Sequence, residues 1–188
     1  MMRLPHPALL GAIYGLSEFG LLLTRHSGAR VESRDRHSLA LLWIVIFISL
    51  ALGISMTSIY PAARLPHPRA FYFLGLLLFV TGVVLRWIAI IRLGKFFTVD
   101  VAIAKEHRLV DSGPYRFVRH PSYTGALVAF VGFGFCLGNY LSILCVMVPI
   151  TAAFLWRIRI EERALLDALG DDYCVYTRRT KRLLPFIY

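Results

Sequence analysis

Charge is scarce in this chain and acid is scarcer: Asp, Glu, Lys and Arg make up 17% of it, with 11 acids against 21 bases. So little charge, beside 57% hydrophobic residues and a mean hydropathy of +0.64, leaves too few polar groups to coat a water-soluble domain of this size. Cysteine is also rare. Cys136, Cys145 and Cys174 show no metal-ligand spacing and no disulfide framework, and the first two fall in apolar runs, where a thiol acts as a small hydrophobe. No internal repeat or low-complexity tract is visible. Arg3 is the only charge ahead of the first apolar run, so a cleavable signal peptide is not expected. The formal net charge of +10 does not indicate nucleic acid, because the bases border apolar runs instead of forming a free patch. Anionic lipid headgroups are the expected counter-charge, which makes membrane lipids a partner.

What remains is a set of long apolar runs. A helix crossing the ~30 Å hydrocarbon layer needs about 20 apolar residues. Five runs are read as spans, at about 8–23, 39–60, 70–93, 122–137 and 140–156. The first is short and interrupted by Ser17 and Glu18, the third carries Arg86, and Pro149 is expected to kink the fifth. All should be helices, since lipid offers no partner to an open strand edge. The expected fold is therefore all-α: a single integral membrane domain, 1–188, with five transmembrane helices. Only Gly138 and Asn139 separate the last two runs, so these must form a tight antiparallel hairpin. With five spans, seventeen bases fall on one face and Arg3, Arg64 and Arg69 on the other. Positive loops stay inside. That places segments 95–125 and 157–188 in the cytosol and the N-terminus on the opposite face. Arg86 and Glu18 sit well inside their runs. Arg86 either snorkels or, with Glu18, forms a buried pair or lines a cavity.

Specific chemistry is concentrated between His107 and Gly125, HRLVDSGPYRFVRHPSYTG. Ser112-Gly113-Pro114-Tyr115 reads as a tight turn. Pro121 turns His120 away from helical geometry and suits the first turn of a following helix, whose N-terminal amides attract negative groups. A second cluster follows the last run: Trp156-Arg157-Ile158-Arg159-Ile160-Glu161-Glu162, then Gly170-Asp171-Asp172-Tyr173-Cys174-Val175-Tyr176. The hairpin brings both clusters to one membrane face.

In order, H-x-L-V-x-x-G-x-Y, R-H-P-x-Y-x-G, R-x-x-x-E-E and G-x-x-Y-x-x-Y, this pattern resembles the isoprenylcysteine carboxyl methyltransferase family and its phospholipid methyltransferase relatives. The resemblance covers roughly residues 95–188. It departs from the family's habit at Leu169, where Phe is common. The resemblance implies S-adenosylmethionine as methyl donor and a lipophilic or lipidated acceptor. It assigns cofactor binding to His107, Arg108, Leu109, Val110, Tyr115, His120, Pro121, Ser122 and Tyr123. It also implies that Arg157 orients the acceptor, with Glu161 beside the cofactor amine and the reacting centre; these two are the expected catalytic residues. The residue chemistry is compatible. His120 at a helix mouth suits a carboxylate, tyrosine faces suit a sulfonium or adenine, and an arginine fork suits both oxygens of a carboxylate acceptor. Arg157 and Glu161 are also four apart on one helix face, so a plain intrahelical ion pair is the alternative, in the less favourable order. Glu162, Tyr173 and Tyr176 are expected to support the site. Methyl transfer to an ionised carboxylate needs no general base, so alignment and exclusion of water would carry catalysis, with the tail from Glu161 to Pro185 closing over the donor.

A phospholipid amine or a small thiol is an alternative acceptor. A rival class, the NADPH-dependent membrane sterol reductases, shares R-H-P-x-Y-x-G but usually has Asn after the Pro and Glu after the Gly. Ser122 and Ala126 stand there in this chain, and Glu161-Glu162 favours the methyltransferase.

Overall fold

The computed structural model describes residues 7–24, 36–97 and 109–185. These form α1 (Pro7–Thr24), α2 (Arg36–Ile59), α3 (Pro68–Leu93), α4 (Pro121–Leu137), α5 (Tyr140–Leu169) and α6 (Asp171–Arg179), with 3-10 turns at Pro61–Ala63, Gly94–Phe96 and Gly113–Arg116. No strand occurs among the described residues beyond two isolated bridges, Arg64 with Asn139 and Val118 with Lys181. Each expected run coincides with one of the first five helices. Three of these, α2, α3 and α5, are long and apolar enough to cross a membrane, and α4 is a shorter apolar helix. The chain is an all-helical membrane protein.

Prolines open the helices where the sequence places them, with Pro68 and Pro121 in the first turns of α3 and α4. Pro149 lies within α5, which runs past Trp156 to Leu169 without a break. At ~1.5 Å per residue, α5 is about ten residues longer than a crossing of the hydrocarbon layer requires, and its last third is polar.

The most extensive contact joins α3 to α4, and its cause is a set of glycines seven residues apart on both helices. A Cβ on Gly75 would lie 2.6 Å from the Gly132 carbonyl oxygen, and one on Gly125 would lie 2.6 Å from the Gly82 carbonyl oxygen. With no side chains between them, the two backbones meet directly. Small residues drive helix association in lipid this way, where there is no hydrophobic force to do so. The pairing of Gly75 with Gly132 and of Gly82 with Gly125 makes the helices antiparallel.

The α4–α5 hairpin turns at Gly138, whose φ of +67° suits glycine. The wholly buried Asn139 then joins three elements. Its Oδ1 accepts from the Leu141 and Ser142 amides, capping α5, and its Nδ2 donates to the Tyr60 carbonyl at 2.9 Å, the end of α2. A turn of α5 further on, Ser142 Oγ donates to the Gly53 carbonyl at 2.6 Å. Helix α1 packs through Tyr14, which meets Phe130 and Phe79. These aromatics, with Phe133, Phe154 and Ile150, form the core. The first five helices alternate in direction, so the end of α3, the start of α4 and the later turns of α5 gather at one end.

Candidate active site

One cavity occupies that end, with roughly 1270 Å³ of empty space including its open mouth. Its apolar side comes from α2, through Leu39, Leu42, Trp43 and Ile46, and from Phe154. Its polar side comes from the two sequence clusters, the turn before α4 and the helical segment after Trp156.

At the centre is a short hydrogen-bonded relay. Arg157 Nε donates to the Tyr123 hydroxyl at 3.1 Å, and that hydroxyl donates to Glu161 Oε2 at 3.0 Å. The Arg157 guanidinium is buried, 3% exposed, and its Nη1 also donates to Ser38 Oγ of α2 at 2.7 Å. The intrahelical ion pair between Arg157 and Glu161 is not formed. The arginine reaches sideways to α4 and α2, leaving the Glu161 side chain 32% exposed on the cavity wall.

His120 is held at the mouth of α4 by its own amide, which donates to the Arg182 carbonyl at 3.0 Å. Its Nδ1 is 4.0 Å from Glu161 Oε1. Its Nε2 lies 3.4 Å from Glu162 Oε1 yet outside hydrogen-bonding geometry, so that buried nitrogen has no hydrogen-bond partner among the described residues. Glu162 stays off the cavity wall. It accepts from Arg119 Nε at 2.9 Å and Arg182 Nε at 2.8 Å, and so ties the C-terminal segment to the start of α4. A backbone bond from Arg119 N to the Lys181 carbonyl at 2.7 Å and a side-chain bond from Thr124 Oγ1 to the Leu183 carbonyl at 2.7 Å reinforce the tie. This strap sets α6 over the cavity, where Tyr173 and Tyr176 join the wall. Tyr176 donates to the Tyr115 carbonyl at 2.7 Å, and Tyr115 in turn donates to the Ala89 carbonyl at 3.3 Å. Burial pushes the hydroxyls of Tyr115 and Tyr173 up, and that of Tyr176 up to about 12, so all three are neutral at physiological pH.

Of the residues named from sequence, Leu109, Val110, Tyr115, His120, Ser122, Tyr123, Arg157 and Glu161 line this one cavity. Pro121 does not. It is fully buried in the first turn of α4, where proline's fixed φ and missing N–H suit a helix start. His107 and Arg108 lie outside the described residues. Arg86 does not snorkel. It grips Glu18 through Nε and Nη2, both at 2.6 Å, and donates from Nη1 to Ser122 Oγ at 2.9 Å. Glu18 is buried, Arg86 is mostly so, and both line the cavity, so both proposals for the pair hold together. Sequence reasoning missed the α2 wall and Ser38. A helix apolar on every side carries no periodicity to mark the face that turns inward.

The model of the isoprenylcysteine carboxyl methyltransferase family matches residues 74–167. Protein-S-isoprenylcysteine O-methyltransferase A of Arabidopsis thaliana is 30% identical, over 93% of this chain and 88% of its own length. The B protein of the same plant is 37% identical over 60% of this chain and 58% of its own length. A solved structure, the eukaryotic intramembrane Ras methyltransferase ICMT, is 27% identical and superposes with a TM-score of 0.67, over 99% of this chain and 70% of that one. On these matches the chain belongs to the isoprenylcysteine carboxyl methyltransferase family.

Proposed function

We propose that the protein moves a methyl group from S-adenosylmethionine to the carboxylate of an isoprenylcysteine or a similar lipophilic acceptor. The observation that carries this reading is a single cavity with an apolar wall from a membrane helix on one side and the Arg157–Tyr123–Glu161 relay on the other. An acceptor with a greasy chain and a charged head needs both.

The residues present suit the donor. Three buried polar atoms have no hydrogen-bond partner among the described residues: Trp43 Nε1, His120 Nε2 and Tyr173 Oη. All three residues line the cavity. Unsatisfied buried polar groups are costly and uncommon, and their gathering at one site is the mark of a polar ligand. His120 and the start of α4 would hold the cofactor carboxylate, Glu161 its ammonium, and Leu109, Val110, Tyr115 and Tyr173 its apolar parts. When bound, S-adenosylmethionine supplies a methyl on a sulfonium already activated for transfer. Arg157 binds and orients the acceptor carboxylate, Tyr123 keeps Arg157 and Glu161 in register, and α6 with its strap excludes water. No proton need be removed from an ionised carboxylate.

The same reading spans the membrane five times, with the cavity and the C-terminus in the cytosol. Its support is the excess of Lys and Arg at the cavity end. The partners are a lipophilic or lipidated acceptor and the surrounding lipids.

A cofactor exchange test separates the methyltransferase from the reductase. S-Adenosylhomocysteine at about 100 times its Kd should stabilise the detergent-purified protein by about 2.7 kcal/mol, and NADPH should leave its thermal unfolding unchanged. Stabilisation by NADPH alone would assign the site to the reductases.

A further inference from the structure

Resting on that reading of Arg157, we propose that Ser38 of α2 is a positioning residue that keeps the Arg157 guanidinium turned away from Glu161. Ser38 lies outside residues 74–167, which carry the family match, and no motif includes it. It is wholly buried in the first turn of α2, and its Oγ accepts from Arg157 Nη1 at 2.7 Å across 119 residues of sequence. Its neighbours on the same helix, Leu39, Leu42 and Trp43, form the apolar wall of the cavity, whereas Ser38 itself is not on that wall. Ser38 therefore acts through Arg157 and not on a ligand.

The physical argument concerns two competing partners. Arg157 and Glu161 are one helical turn apart, within ordinary reach of an ion pair. An arginine paired with Glu161 would have its charge matched internally, and its fork would be unavailable to an acceptor carboxylate. Two neutral oxygens work against that pairing. The Tyr123 hydroxyl takes Nε at 3.1 Å and the Ser38 hydroxyl takes Nη1 at 2.7 Å, from opposite helices, so the guanidinium is fixed between α4 and α2. Tyr123 alone is not enough, because its hydroxyl also donates to Glu161 and would follow the carboxylate. Ser38 is the fixed end of the relay. Helix α2 is thereby tied to the reacting centre as well as to the apolar wall, and the two parts of the acceptor are received in register.

The test is a set of variants of the full-length protein in detergent, with acceptor kinetics on a prenylcysteine and Kd for S-adenosylhomocysteine as separate readouts. Ser38→Ala should raise KM for the prenylcysteine about tenfold or more, the usual cost of a hydrogen bond to a charged group, and change Kd for S-adenosylhomocysteine less than about threefold. Ser38→Cys conserves volume but accepts poorly, so it should behave like Ser38→Ala. In an Arg157→Lys background, Ser38→Ala should add little, since residues acting as a unit are not additive. Wild-type behaviour of Ser38→Cys would reduce Ser38 to packing and overturn the proposal. So would a parallel weakening of both ligands, or full additivity with Arg157→Lys. Wild-type protein that binds S-adenosylhomocysteine but methylates no prenylcysteine would refute the acceptor reading and, with it, this role for Ser38. Failure of S-adenosylhomocysteine to bind wild-type protein would refute the cofactor reading on which both rest.

Discussion

Arg157 and Glu161 stand side by side on one helix and make no ion pair with each other, and that separation of partners is what allows two roles. An exposed helical pair of this kind would contribute a few tenths of a kcal/mol and little else. In the relay each charge has its own surroundings. The arginine is buried between Tyr123 and Ser38, and the glutamate faces the cavity with a tyrosine hydroxyl on one oxygen. Arg157→Ala should therefore impair use of the acceptor, and Glu161→Gln should weaken donor binding. Each should cost roughly 10- to 150-fold in the corresponding constant, with KM for the prenylcysteine and Kd for S-adenosylhomocysteine as the measurements. Wild-type constants in either variant would return the pair to a structural role. At this scale much was readable in advance. The family resemblance pointed to His120, Tyr123, Arg157 and Glu161, and the short Gly138-Asn139 hairpin put their two clusters on one membrane face. The relay itself was not readable, since a four-residue spacing is equally consistent with an ion pair, and only the third dimension brings Ser38 to Arg157.

The elements that build the site are placed by glycine and proline. The seven-residue glycine spacing on α3 and α4 lets their backbones touch, and Arg86 and Ser122, one on each helix, then meet across that seam. A side chain in the seam must push the helices apart. Gly82→Leu should lower stability by at least the ~1–3 kcal/mol typical of overpacking and, by moving Ser122 and His120, raise Kd for S-adenosylhomocysteine. Thermal unfolding and ligand titration of the same preparation check both. Unchanged values would mean that the seam tolerates separation. The apolar helices and the hairpin were legible because hydrophobic length and Gly138-Asn139 report them directly. The inward faces of α1 and α2 were not, because in lipid both sides of a helix are apolar. Only Glu18, a carboxylate with nowhere to snorkel, marked an inward side, and it proved to be the partner of Arg86.

The molecule as a whole is a helical membrane protein with its cavity at the end where the basic residues of the described helices gather. On the proposed topology, a single cysteine placed near Lys105 should resist an impermeant thiol probe in intact cells, and one near Arg64 should react; the opposite labelling would reverse the orientation. The proposed shared cavity requires donor and membrane-borne acceptor to meet at that face, and this claim has a direct chemical readout. Purified protein in lipid, given S-adenosylmethionine labelled in its methyl group and a prenylcysteine with a free carboxylate, should yield a labelled ester that mild base releases as volatile methanol. Amine and thiol acceptors should remain unlabelled. A protein that binds the cofactor yet leaves the prenylcysteine carboxylate unlabelled, or that labels a lipid amine in its place, would contradict the account.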